Sequence, residues 1–148
     1  MNRSQLEHYL HHHIPVSHAM GITVTAATPD TIELRAALAP NLNHRSTAFG
    51  GSVASLAVLA GWSLLRLGLD AFTPTPQIVI QRSSIEYRAP VLHDFDAICH
   101  RPPQPTWQRF IDAFERRGRA RIEVDVDIRC KGVSVGALKG AFVAMVVR

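Results

Sequence analysis

The segment from Ser46 to Leu65 most strongly limits how this chain can fold, because its 20 consecutive residues carry no charge. That length meets the minimum for a helix that crosses a bilayer. Ser and Gly dilute its first part, however, and the strongly apolar portion, Val53 to Leu65, is too short to cross. A helix that is apolar on nearly every side must otherwise be surrounded by protein. We therefore predict a central buried helix from Ser52 to Leu69 and no membrane association.

Periodic patterns predict the elements around this helix. Ser4 and Glu7 form a capping box that predicts a short amphipathic helix ending before Pro15. A second helix is predicted from a cap at Thr106 to Gly118. Alternation and turn residues predict six strands: Gly21 to Ala27, Thr31 to Ala39, Gln77 to Ala89, Asp94 to Arg101, Arg119 to Cys130 and Val133 to Val147.

The strand from Arg119 to Cys130 has the clearest pattern, because apolar and charged residues alternate along its whole length. Its sheet must therefore have one wet face. The last strand is apolar on both faces, as expected of a strand covered by helices or by a partner subunit. In the strand from Gln77, Val79, Gln81 and Ser83 are expected on one face together with Ile85 and Tyr87. Together these elements predict one α+β domain over residues 1–148, with a mostly antiparallel sheet wrapped around the central helix.

Metal sites and disulfides are not expected. Cys99 and Cys130 lack metal-ligand spacing, and a domain that buries a real core seldom needs a disulfide, so we predict two buried, reduced thiols. Three adjacent histidines from His11 to His13 point in different directions, whereas zinc needs converging ligands. No segment of signal-peptide type occurs in residues 1–21, so a cytoplasmic location is expected.

The charge of the chain is carried mainly by arginine, since 14 of its 16 basic residues are Arg and the net charge is +4. Arginine suits phosphate and carboxylate partners, although interleaved acids favour an ordinary solvated surface. Nucleic-acid binding through the arginines between Arg116 and Arg121 is not expected, because they lie among acids and no nucleic-acid motif is present.

Several segments together resemble the hotdog-fold thioesterase superfamily. They are NLNHRSTAFGG followed by SVASLAVLAGW, then IEYRAP and the late strand GAFVAMVV. More narrowly, they are similar to a thioesterase-like domain that stands alone in some bacteria and follows an acetyltransferase domain in others. The resemblance covers nearly the whole chain and implies the hotdog fold. It also implies a homodimer or a dimer of dimers, acting on acyl groups carried by coenzyme A or acyl carrier protein without a cofactor.

Two glycines at the start of the central helix have a physical interpretation of their own. The first amides of a helix lack intrahelical acceptors and carry the positive end of the dipole, so Gly50 and Gly51 suit a developing oxyanion or enolate. The alternative is that these glycines only permit tight packing. Local sequence leaves the two interpretations equal, and the resemblance favours the first.

The site residues that the resemblance implies depart from the usual pattern. Many hotdog thioesterases have an Asn, then His-Gly-Gly six residues on, then an acid seven residues after the last Gly. Asn43 and the two glycines match, but Phe49 replaces the His and Val58 replaces the acid. His44 is the imidazole within the motif, and imidazole is the side chain that most often serves as a base near neutrality.

The candidate site therefore has two groups of residues and two reactions. The catalytic candidates are Asn43, His44, Thr47, Gly50 and Gly51, and the substrate-binding candidates are Phe49, Ser52, Ser55 and Ser83. Hydrolysis of an acyl thioester is the leading reaction. The absent acid favours malonyl-thioester decarboxylation as its rival, since some members of the resembling group are regarded as malonyl-acyl-carrier-protein decarboxylases that supply acetyl primers for fatty-acid synthesis. A non-catalytic acyl-coenzyme A sensor is the remaining alternative.

Overall fold

The computed structural model describes residues 1–147 and contains four α-helices, one short 3₁₀ helix (Ala39–Asn41) and six strands in that range. The helices are α1 (Arg3–His13), α2 (Pro15–Ala19), α3 (Gly50–Gly68) and α4 (Gln104–Arg117). The strands are β1 (Ile22–Ala27), β2 (Thr31–Ala36), β3 (Gln77–Tyr87), β4 (Phe95–His100), β5 (Arg119–Cys130) and β6 (Val133–Met145). All six predicted strands are confirmed, with ends that move by up to three residues.

The six strands form one antiparallel sheet in the order β1-β2-β4-β5-β6-β3. Helix α3 packs against five of the six strands, so the sheet curves around it. In β5 the alternation is as predicted, with Ile122, Val124, Val126 and Ile128 buried toward α3. The predicted α+β hotdog arrangement is therefore confirmed.

Helix α3 is long and apolar enough to cross a membrane by composition, but half of its most apolar window is buried inside the protein. It begins at Gly50 rather than at Ser52. Its burial is also less complete than predicted, because Gly51, Ser55, Val58 and Trp62 recur at helical spacing and all remain at least partly exposed. This partly exposed stripe runs from the first turn of α3 along one side of the helix.

Two predicted helix caps were wrong. The capping box of α1 joins Asn2 and Gln5 rather than Ser4 and Glu7, because Asn caps a helix as well as Ser does. Helix α4 begins at Gln104 rather than after a cap at Thr106. Pro105 does not prevent this, since a helix tolerates proline in its first turn.

Both cysteines are free and buried, as predicted. Burial raises the pKa of the Cys99 thiol to about 12, so this group is protonated and unreactive in the folded protein.

The predicted shared face of β3 is confirmed for Ser83, Ile85 and Tyr87 but was wrong for Val79. A bulge lies between Ile80 and Arg82, where two steps along β3 match one step along β6. Ile80 is paired with the core residue Phe142, and after the bulge Ser83 is paired with Gly140, whose row also faces α3. Because of the bulge, Ser83 and the residues two and four beyond it face α3, whereas Val79 faces outward.

The two edge strands of the sheet differ in how well they are covered by the rest of the protein. Along β1, the amide of Val24 donates to the Glu7 side chain at 2.8 Å, and His11 Nε2 lies 2.7 Å from the Ile22 carbonyl oxygen. Helix α1 thereby covers that edge. Strand β3 lies at the other edge, and its eight residues from Val79 to Glu86 are all at least partly exposed.

Candidate functional site at the start of helix α3

The loop from Asn43 to Thr47 is held by the side chain of Asn43. Its Oδ1 accepts from the amides of Arg45 at 2.8 Å and Thr47 at 3.1 Å. Its Nδ2 donates to Thr47 Oγ1 at 2.8 Å and to the Ala48 carbonyl at 3.4 Å. Both polar atoms of Asn43 are thus engaged within the loop. We conclude that Asn43 shapes this segment, which places the rest of the motif.

Two other candidates in the loop differ in their surroundings. Thr47 is partly buried, and its hydroxyl oxygen accepts from Asn43, which leaves the hydroxyl proton without an acceptor among residues 1–147. His44 is exposed and makes no hydrogen bond within the same residues. Thr47 is therefore the better ordered donor, and His44 is an accessible imidazole at the rim.

The first turn of α3 leaves two amides free. The amides of Ser52 and Val53 both donate to the Phe49 carbonyl, at 3.0 and 3.1 Å. The amides of Gly50 and Gly51 have no acceptor within the described part of the chain, and no side chain caps this helix. Two neighbouring N–H groups at the positive end of a helix can bind an anionic oxygen.

Aromatic rings lie against both glycines. A Cβ atom on Gly51 would come within 2.4 Å of Phe49 Cε2, so the Phe49 ring occupies the space that a larger residue would need. A Cβ atom on Gly50 would meet Tyr87 Cζ at 3.5 Å, which is ordinary contact. Contact with an aromatic ring is therefore much closer at position 51 than at position 50.

Tyr87 is a residue of this site that sequence reasoning missed. Its hydroxyl donates to the Gly50 carbonyl at 2.8 Å. The sequence did indicate part of this, because the segment IEYRAP places an aromatic residue at the end of β3. The bulge in β3 decides which face that residue takes, and nothing in the local pattern indicates the bulge.

The predicted serines do not cluster with the loop. Ser55 lies on the partly exposed stripe of α3, and its hydroxyl donates back to the Gly51 carbonyl at 2.8 Å. Ser52 is partly buried in the first turn, and Ser83 is exposed on the face of β3 that turns toward α3. These residues border the space between α3 and β3 rather than the loop.

No carboxylate reaches this region in residues 1–147 through a hydrogen bond or an ion pair. Val58 lies on the partly exposed stripe two turns beyond Gly51, where a carboxylate would have access to the site, but its side chain is apolar. Glu86 precedes Tyr87 on β3 and therefore faces the opposite side, where it lies 3.4 Å from Arg88. The site thus combines free amides and a hydroxyl without an acid.

Comparison with known proteins assigns the chain to a family. The model of the family described as "Putative thioesterase (yiiD_Cterm)" matches residues 3–146. The chain belongs to this family. The match confirms the expected membership of the hotdog-fold thioesterase superfamily.

Solved structures with similar folds support the observed architecture. A Chlorobaculum tepidum protein of unknown function is 30% identical with a TM-score of 0.89, and the alignment covers 97% of this chain and 93% of that one. A "putative thioesterase" from Shewanella oneidensis is 27% identical with a TM-score of 0.82, covering 97% of each chain. A Pseudomonas aeruginosa protein, at 18% identity and a TM-score of 0.84 over 98% and 96% of the chains, shares the fold.

Proposed function

We propose that this protein is an enzyme that hydrolyses acyl thioesters at the start of helix α3. The observation that carries the proposal is the pair of free amides on Gly50 and Gly51. When water attacks a thioester, negative charge develops on the carbonyl oxygen, and preoriented donors stabilise that charge. Removal of one such donor in other enzymes lowers kcat by about 10² to 10³.

The loop supplies the remaining polar groups. The Thr47 hydroxyl donates to the attacking water or to a polar group of the substrate, since its oxygen already accepts from Asn43. His44 at the rim is the candidate base that removes a proton from water. In this proposal Asn43 acts by fixing Thr47, and the apolar acyl group lies along the partly exposed stripe of α3 beside β3.

A second reaction is favoured by the lack of a carboxylate. Decarboxylation of a malonyl thioester breaks a carbon–carbon bond, releases carbon dioxide and leaves an enolate whose oxygen the Gly50 and Gly51 amides stabilise. Protonation of that enolate gives the acetyl thioester. This reaction needs no base, and a nearby acid would repel the malonyl carboxylate. A homodimer would bring a second copy of α3, which has no Asp or Glu either.

We also propose that the protein works as a homodimer, or a dimer of such dimers, joined through β3. Helix α1 covers the edge of β1, whereas β3 has Val79 and Ile80 exposed at 47% and 38%. Exposed apolar edge strands pair readily with other chains, and natural proteins usually protect them. A second copy paired at β3 would also close the space between β3 and the stripe of α3.

One assay separates these possibilities. Purified protein is incubated with acetyl- and malonyl-thioesters of coenzyme A and of acyl carrier protein in the cytoplasmic pH range, and the products are separated. Free thiol indicates hydrolysis, and acetyl-thioester formed from malonyl-thioester indicates decarboxylation. Tight binding without either product would indicate a sensor and contradict the proposed enzyme. The comparison of carriers also identifies which of the two is the substrate.

A further inference from the structure

The bond from Tyr87 to Gly50 acts on the same peptide unit that carries one of the two free amides. The Gly50 carbonyl and the Gly51 N–H belong to a single planar peptide group. Tyr87 donates to the oxygen of that group at 2.8 Å, and the Gly51 N–H on its other side has no acceptor among the described residues. A change at the oxygen is therefore transmitted directly to the N–H.

We propose that Tyr87 is a positioning residue, which orients and polarises the Gly50–Gly51 peptide so that the Gly51 amide binds the thioester oxygen. A proton donated to a peptide oxygen draws electron density away from the nitrogen and strengthens its N–H as a donor, as in chains of hydrogen bonds. The inference rests on the proposed function, because it concerns the oxygen that these amides stabilise.

The local backbone explains why such a residue is needed. Two consecutive glycines at the first turn of a helix have more conformational freedom than any other pair of residues. Among residues 1–147, no side-chain cap fixes this end of α3. The Tyr87 bond joins the first turn to the end of β3, while Trp62 Nε1 donates to the Ile78 carbonyl at 3.0 Å near the start of β3. The two bonds attach α3 to β3 near both ends of the strand, with the helix and the strand antiparallel.

The chain offers a matched control, because its other tyrosine contacts α3 about three helical turns away from the Gly50–Gly51 peptide. Tyr9 stacks on Trp62 at 5.9 Å and lies below Arg66, and its hydroxyl makes no hydrogen bond within residues 1–147. Tyr87→Phe and Tyr9→Phe both remove a hydroxyl oxygen. Tyr87 is exposed and Tyr9 is partly exposed. Both variants should fold as the original protein does.

The experiment measures kcat and KM for thioester turnover together with the amide proton shift of Gly51 by NMR. We expect Tyr87→Phe to lower kcat about 3- to 10-fold, the factor that corresponds to one ordinary hydrogen bond, with KM nearly unchanged. We also expect its Gly51 amide proton to move upfield, as for a weaker donor. Tyr9→Phe should alter neither quantity.

The outcomes separate this inference from the proposed function. An active original protein whose Tyr87→Phe variant keeps its full kcat would overturn the role of Tyr87 and leave the proposed function intact. A Tyr87→Phe variant in which kcat and the melting temperature both fall while the Gly51 amide shift stays unchanged would also overturn it. Tyr87 would then be only structural. An original protein without turnover of any thioester would contradict the proposed function, and the inference would fall with it.

Discussion

The ring of Phe49 lies against the backbone of Gly51, where a Cβ atom would come within 2.4 Å of it. The ring is 55% exposed, so it can swing away. We therefore predict that Gly51→Ala lowers the free energy of unfolding by less than about 1 kcal/mol, since alanine also favours the helix. Urea denaturation measures the change.

Gly61→Ala is the matched control on the same helix. There a Cβ atom would meet Phe142 at 2.9 Å and Val124 at 3.1 Å, and both of these side chains are buried. Overpacking a core costs about 1 to 3 kcal/mol, which exceeds the gain in helix propensity. If Gly51→Ala and Gly61→Ala lower the free energy of unfolding equally, the Phe49 ring is fixed in place.

Gly50→Ala tests whether the glycine at position 50 serves the substrate. A Cβ atom there fits beside Tyr87 at ordinary contact distance, so we expect no loss of stability. The added methyl group would, however, crowd the oxygen that approaches the free amides. We expect turnover to fall by about tenfold or more, up to the factor of about 10² to 10³ that loss of one oxyanion donor costs. Unchanged turnover in the stably folded variant would argue against these amides as the oxyanion site.

Thr47 is predicted to act through its hydroxyl group. Thr47→Val keeps the shape of the side chain but removes the proton donor and the acceptor of the Asn43 bond. We expect kcat to fall about tenfold and stability to fall by about 1 kcal/mol. Thr47→Ser restores both hydrogen-bonding functions and should recover most of the rate. Steady-state kinetics on the two variants measures kcat. Equal kcat values for Thr47→Val and Thr47→Ser would show that the Thr47 hydroxyl takes no part in the reaction.

The proposed dimer is tested at the exposed edge of the sheet. Ile80→Lys places a charge on β3, and lysine on an edge strand opposes pairing between chains. Sedimentation velocity should show a monomer for this variant and a dimer for the original protein. Val133→Lys is the control, because Val133 is 65% exposed and lies at the start of β6, before the part of β6 that pairs with β3 and nine positions from Phe142, the partner of Ile80. A dimer that survives Ile80→Lys unchanged would place the interface elsewhere.

The elements and their order could be predicted because each depends on local periodicity. The alternation from Arg119 to Cys130 specifies one buried face, and the uncharged run before Leu65 specifies a helix inside the sheet. The face of β3 could not be predicted, because the bulge after Ile80 shifts the register without a local signal.

The candidate site was predicted in part for a related reason. The motif from Asn43 to Gly51 is contiguous, so its residues had to lie near one another. Tyr87 comes from a strand 37 positions further on, and only the fold brings its hydroxyl to Gly50. The engagement of Asn43 within its own loop depends on backbone geometry, including the positive φ of 61° at Ser46, which sequence pattern does not specify.

The central claim is that the free amides at the start of α3 stabilise charge on a thioester oxygen. The most direct measurement compares product formation from acetyl- and malonyl-thioesters by the original protein and by Gly50→Ala, on both coenzyme A and carrier protein. We predict free thiol or acetyl-thioester well above the uncatalysed rate for the original protein, and at least about a tenfold loss in the variant. Neither product above the uncatalysed rate on either carrier would contradict the claim.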